Sequence, residues 1–115
     1  MTAPRFLTND ADRPIARLLL AHGAGASMDS AFMNLMADLL VTRSISVVRF
    51  EFPYMAARRE VGKKRPAPKA ETLMDSYRAA IAAAPGDAPL MIGGKSMGGR
   101  VASMVADEAF ASGRI

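Results

Sequence analysis

Residues 89–99 read Pro-Leu-Met-Ile-Gly-Gly-Lys-Ser-Met-Gly-Gly. Residues 89–92 are apolar, which is typical of a short buried strand. Apolar residues at helical spacing follow Ser96 as far as Phe110. Residues 94–98 therefore match G-x-S-x-G between a strand and a helix. Glycines on both sides allow a tight reversal that holds the serine in strained geometry at a helix start. Because the helix dipole and free N–H groups there stabilise an oxyanion, we predict that Ser96 is a nucleophile.

Other interpretations of the serine turn fit less well. Gly94-Lys95-Ser96 shares G-K-S with phosphate-binding loops, but that motif needs a glycine where Pro89 stands. A Ser-Lys dyad fails too, because the S-x-x-K position is Gly99 and the adjacent Lys95 side chain should diverge from the hydroxyl. We expect Lys95 to be a surface or supporting residue. A glycine turn without chemistry stays open as an alternative.

A second glycine-rich turn, residues 22–25, follows the apolar strand predicted at residues 17–21. In a parallel sheet both turns would lie at the carboxyl ends of strands, where ligands bind. The N–H groups of Ala24 and Met97 would then form an oxyanion hole. We expect His22 to brace its turn rather than act as the base, because in this motif the histidine follows the serine. The remaining supporting residues are Gly23, Gly25, Gly94, Gly98 and Gly99.

The rest of the chain alternates between strand and helix patterns. Residues 45–52 are rich in β-branched and aromatic side chains and predict a strand, and residues 71–84 predict a helix. Another helix begins after Asp29 or Ser30, with an apolar face expected to pack inward: Phe32, Leu35, Met36, Leu39 and Leu40. The alternation predicts an α/β fold, a parallel sheet of about three main strands flanked by three helices.

The amino-acid composition excludes several classes of protein and several kinds of binding site. The 115 residues include no Cys and a single His, with 15 Lys and Arg against 11 Asp and Glu. We therefore expect no disulfide scaffold, no metal site and no cofactor. No apolar run approaches the ~20 residues of a membrane helix, and the polar N-terminus lacks a signal-peptide core. The expectation is one cytoplasmic domain that does not act at membranes.

Basic residues concentrate in residues 55–70, which also contain Gly62, Pro66 and Pro68 and predict an exposed, solvated loop. A patch for anionic substrates, or for nucleic acid, is the alternative. We do not expect nucleic acid, because no aromatic residue is interleaved to stack on bases. The basic residues are Arg58, Arg59, Lys63, Lys64, Arg65 and Lys69.

Three motifs together resemble the N-terminal half of an α/β-hydrolase. They are similar in particular to the small dienelactone-hydrolase-like group, which includes a testis-expressed hydrolase-like protein and a subunit of a histone-acetyltransferase complex. The motifs are Leu19-Leu20-Ala21-His22-Gly23-Ala24-Gly25, Val48-Arg49-Phe50-Glu51-Phe52-Pro53-Tyr54 and Gly93-Gly94-Lys95-Ser96-Met97-Gly98-Gly99-Arg100. The resemblance implies hydrolysis of an ester or a related acyl substrate, with Ser96 as nucleophile and Ala24 and Met97 as oxyanion donors.

The sequence departs from that family after Ser96. The family's acid and histidine follow the nucleophile, but here no histidine does, and the only later acids are Asp107 and Glu108. We therefore expect residues 1–115 to be part of one hydrolase domain, truncated before the acid and histidine and inactive alone. The alternative is a non-catalytic interaction module. In either case we expect the last strand to keep an open apolar edge through which chains self-associate.

Overall fold

The computed structural model describes residues 4–64 and 66–115, and its centre is a sheet of four strands. These are β1 (Leu7–Asn9), β2 (Ala16–Ala21), β3 (Ile45–Phe50) and β4 (Leu90–Gly94). In the order β1-β3-β2-β4, β2 runs parallel to β3 and β4, and β1 pairs antiparallel with β3. The three parallel strands are the predicted ones. The short β1 was not predicted.

Helices cover both faces of the sheet. They are α1 (Ala31–Val41), α2 (Pro53–Val61), α3 (Met74–Ala83) and α4 (Met97–Ala111), with a 3₁₀ turn (Ala70–Leu73) before α3. Ser30 caps α1, and its Oγ accepts the Met33 N–H at 3.4 Å. The predicted fold class, a parallel sheet flanked by helices, is confirmed. None of the helices in the described ranges is long and apolar enough to span a membrane.

Successive residues of each strand face opposite layers, and this alternation divides the core in two. Leu19 and Val48 belong to the larger cluster, which packs α3 and α4 against the sheet around buried Tyr77. Leu20 and Val47 belong to the smaller cluster under α1. The sheet, including the carboxyl ends of β2 and β4, therefore lies between two layers of helices.

The prediction of a loop across residues 55–70 was wrong in its first part, because α2 runs to Val61. Pro53 occupies a first-turn position, where its missing N–H costs nothing. Gly62, at φ 73°, ends the helix in the left-handed conformation. Residues 62–64 and 66–69 form neither helix nor strand, whereas Arg65 lies outside the described residues.

The predicted inward face of α1 was also wrong in part. Met33 and Ala37, one turn apart, are the residues that α1 buries against the sheet. Because they define the inner face, Phe32, Leu35 and Leu39 remain exposed, at 43%, 57% and 52%. Met36 and Leu40 are only partly buried at the margin of this contact.

Candidate functional site

The two glycine-rich turns meet at the carboxyl end of the sheet. The Lys95 N–H donates to the carbonyl oxygen of Ala21 at 3.0 Å, which joins the end of β4 to the end of β2. Gly23 lies against the serine, since a Cβ placed on it would be 3.8 Å from the Cβ of Ser96. The structure thus brings both predicted turns to one edge.

Ser96 occupies a backbone conformation that a residue with a side chain rarely adopts, with φ 51° and ψ −115°. Such a conformation costs of order 1–3 kcal/mol and persists only where the surrounding structure enforces it. The side chain is exposed, and α4 begins at the next residue. The hydroxyl therefore stands in solvent at the N-terminus of a helix.

Three glycines allow this turn to close. A Cβ on Gly94 would lie 2.5 Å from the carbonyl carbon of Gly98, and one on Gly98 would lie 2.8 Å from the oxygen of Ala21. A Cβ on Gly99 would meet the oxygen of Gly94 at 2.7 Å. All of these are backbone atoms, which cannot rotate away. By contrast, a Cβ on Gly25 would meet nothing within 4 Å.

Each of the two turns contains a backbone N–H group that was predicted to be an oxyanion donor. The N–H of Met97 is the first of α4, whereas the following N–H, of Gly98, already donates to Lys95 at 2.9 Å. The carbonyl of Ala24 is held by the Tyr54 hydroxyl at 2.8 Å. Across residues 4–64 and 66–115, the N–H groups of Ala24 and Met97 donate no hydrogen bond. They are therefore free to bind an anion.

His22 is completely buried and uses both ring nitrogens. Its Nε2 accepts the Phe52 N–H at 3.1 Å, which assigns the ring hydrogen to Nδ1, and Nδ1 donates to the Gly23 carbonyl at 2.6 Å. Burial lowers the pKa of the imidazole, so the ring is neutral at pH 7. It ties the turn after β2 to the end of β3 and has no nitrogen left to accept a proton from Ser96.

Two charged residues of β3 and its extension clamp the loop that follows β2. The buried Arg49 guanidinium donates to the carbonyl of Met28 at 2.9 Å, and the N–H of Met28 donates to the Glu51 carboxylate at 3.2 Å. The backbone carbonyl and the N–H of Met28 are thereby both held in place. Sequence reasoning missed this role, although the alternating charges in an otherwise apolar strand were a signal.

Arg59 joins the same loop to α2. Its guanidinium contacts Asp29 at 2.8 Å and Glu51 at 2.6 Å. The hydrogen bond from Arg59 is the main cause that lowers the pKa of Asp29 to about 2. The side chain of Glu51 is only 6% exposed, so this pair is partly shielded from water. The helix that sequence reasoning missed thus supports the candidate site.

Lys95 is exposed and directed toward α1. Its Nζ lies 4.8 Å from the centre of the Phe32 ring, a cation–π contact. The ammonium group is therefore held by a surface contact. No group of three or more His, Cys, Asp or Glu side chains in the described ranges is arranged to hold a metal ion.

Known proteins resemble the chain in fold. A family described as an alpha/beta hydrolase domain matches residues 14–115. The structure of Est1E from Butyrivibrio proteoclasticus with bound ferulic acid superposes with a TM-score of 0.65 at 13% identity, over 90% of this chain and 45% of Est1E. The structure of mouse alpha/beta hydrolase domain-containing protein 10 superposes with a TM-score of 0.62 at 12% identity, over 90% of this chain and 39% of that protein. The chain thus spans less than half of either structure. No curated protein matches.

Proposed function

The chain belongs to the alpha/beta hydrolase family, and from this premise we propose that it supplies the nucleophile and oxyanion hole of an esterase-type serine hydrolase. The observation that carries the proposal is the strained backbone of Ser96, at φ 51°, at the start of α4. Strain of this kind is characteristic of functional sites. Here it presents a hydroxyl next to the Met97 N–H, and neither this group nor the Ala24 N–H donates a hydrogen bond within residues 4–64 and 66–115.

In the proposed reaction, Oγ of Ser96 attacks the carbonyl carbon of an ester. The carbonyl oxygen becomes negatively charged and is bound by the N–H groups of Ala24 and Met97. A general base takes the hydroxyl proton and then gives it to the departing alcohol. Water next attacks the acyl-serine, which releases the acid and restores Ser96.

In this proposal the general base comes from outside residues 1–115. The chain has one histidine, His22, and both of its ring nitrogens are occupied. We propose that a longer protein supplies the histidine and the acid, and that residues 1–115 are the N-terminal part of one domain. Its place in the dienelactone-hydrolase-like group remains part of this proposal, supported by the three motifs around His22, Arg49 and Ser96.

The test is labelling of the full-length protein with a fluorophosphonate, which reacts readily only with an activated serine. We expect labelling in the wild type and in Ser103→Ala, because Ser103 lies elsewhere on α4 with its hydroxyl bonded to Arg100. Ser96→Ala should abolish labelling and lower kcat for p-nitrophenyl butyrate by about 10³-fold or more. Equal labelling of Ser96→Ala would contradict the proposal.

A non-catalytic interaction module is the second candidate. It is favoured by the edge position of β4, where Met91 is 40% exposed. Exposed apolar edge strands pair readily with other chains. A full-length protein that is folded but resists both fluorophosphonate and ester turnover would support this candidate over the first.

A further inference from the structure

A shallow cleft, wide open to solvent, lies between the loop after β2 and the C-terminal end of α2. Its volume is about 370 Å³. One wall is made by the loop that carries Ala24, and the other by α2 and the residues after it. The lining residues are Gly25, Ala26, Ser27, Ser30, Met55, Arg58, Gly62 and Lys64.

The charged side chains that line this cleft are cations. The hydrogen-bond acceptors of Arg58 among the described residues are the Gly25 carbonyl, at 3.4 Å, and the Met55 sulfur, at 3.6 Å. The nearby carboxylates of Asp29 and Glu51 are both bound by Arg59. Within residues 4–64 and 66–115, neither Arg58 nor Lys64 forms a salt bridge. The charged side chains of the cleft lining are therefore two cations that have no salt-bridge partner in the described residues.

The cleft also has one neutral donor, the hydroxyl of Ser30. The Ser30 hydroxyl accepts the Met33 N–H at 3.4 Å, so its own hydrogen remains free to donate. A planar guanidinium, an ammonium group and a hydroxyl together suit a carboxylate or phosphate.

The cleft and the serine share one loop. Gly23 packs against Ser96, and Gly25, two residues later, contacts Arg58. The loop whose Ala24 N–H would bind the carbonyl oxygen of an ester therefore also lines the cleft, through Gly25. This shared loop is the basis for placing a second functional group of the same substrate in the cleft.

We propose that this cleft is the substrate's anion subsite, and that the enzyme prefers esters with a carboxylate or phosphate on the same molecule. The preference for such esters rests on the proposed function of Ser96. The subsite itself rests on the uncompensated cations and makes a prediction about binding alone.

The first test compares hydrolysis of p-nitrophenyl butyrate with that of the mono-p-nitrophenyl ester of glutaric acid by the full-length protein. We expect kcat/KM to favour the glutarate ester, and Lys64→Met and Arg58→Met each to lower that preference about tenfold. Lys63→Met is the matched control, because Lys63 precedes Lys64 but does not line the cleft, and it should change neither rate. An unchanged preference in the Arg58→Met/Lys64→Met double variant would overturn the proposal.

The second test is binding, which does not require Ser96 to be active. Glutarate and inorganic phosphate are titrated separately into the full-length Ser96→Ala protein by calorimetry, and their relative affinities distinguish the carboxylate from the phosphate. Binding of either anion that Lys64→Met weakens and Lys63→Met does not supports the subsite, even if no ester is hydrolysed. Absence of binding by both anions, or equal binding by all variants, would overturn it. Failure of the subsite and failure of the proposed function are thus separate results.

Discussion

At the scale of single residues, the serine turn depends on the absence of side chains at its glycines. Gly98 packs against the backbone where β2 ends, and an added Cβ would lie 2.8 Å from the Ala21 oxygen and 2.9 Å from its carbonyl carbon. Neither atom can move without shifting β2. Glycine is therefore required at position 98 because there is no space for a side chain. This close contact fixes the serine turn against the turn that follows β2.

Gly98→Ala should lower the free energy of unfolding by roughly 2–4 kcal/mol, because the helix must separate from β2. Gly25→Ala is the matched control. Its new Cβ would meet nothing within 4 Å, so the change should stay within about 0.5 kcal/mol. Urea denaturation measures both. Equal stability of the two variants would contradict the close contact at Gly98.

His22 should make stability depend on pH. Burial lowers its pKa in the folded protein below the 6.5 of an unfolded chain, so the neutral ring stabilises the fold above pH 6.5. This contribution is lost as the pH falls below 6.5 toward the lower folded pKa. The carboxyl of Asp29 does not interfere, because its stabilisation is lost only below 3.8.

The measurement is urea denaturation of wild type and His22→Gln between pH 7.5 and pH 5. Wild type should lose stability over that range, whereas the less stable His22→Gln variant should lose clearly less. Equal slopes in both proteins would show that His22 is not the titrating group.

At the scale of elements, α2 acts as a brace for the candidate site. Arg59 on α2 binds Asp29 in the loop and Glu51 after β3, and Tyr54 on α2 binds the carbonyl of Ala24. The position of the loop after β2 therefore depends on a helix that contributes none of the proposed reacting groups.

Arg59→Met should lower the free energy of unfolding by about 1–2 kcal/mol, since it removes the ion-pair partner of the Glu51 carboxylate, which is 6% exposed. It should also speed hydrogen exchange at the Met28 N–H, which donates to Glu51. Arg43→Met is the control, because Arg43 forms no salt bridge in the described part of the chain. A similar response from both variants would argue against a bracing role.

The sequence predicted those elements whose local pattern agrees with their packing. The parallel strands are apolar runs ended by glycine or proline, and the turn at Ser96 follows from its spacing. The short β1, in contrast, is recognisable only through backbone pairing with β3. The helix α2 was not predicted, because its basic residues were interpreted as part of an exposed loop. The spacing of charges does not reveal their partners Asp29 and Glu51.

The inward face of α1 was predicted wrongly, and the contacts of Arg49 and Glu51 with the loop after β2 were missed, for a related reason. The apolar pattern of α1 offered more residues than the sheet could cover, and tertiary packing selected Met33 and Ala37. Arg49 and Glu51 act on Met28, more than twenty residues away in sequence. Contacts at such separation are set by topology, which local spacing does not specify.

At the scale of the whole molecule, the sheet is asymmetric. The polar strand β1 covers one edge, whereas β4 forms the other and carries the serine turn. The outer side of β4 has no partner strand within residues 4–64 and 66–115. Unpaired backbone groups and the exposed Met91 make that edge a template for another strand.

Residues 1–115 expressed alone should therefore self-associate through β4, with an average mass by sedimentation equilibrium that rises with concentration. Met91→Lys should suppress this association, because a charge on an edge strand opposes pairing. Leu39→Lys is the matched control, because Leu39 is exposed, at 52%, on α1, which packs against β3 and β1. If association instead responds to Leu39→Lys, the apolar face of α1 is the contact surface. A monomer at every concentration would show that the edge of β4 does not pair in this chain.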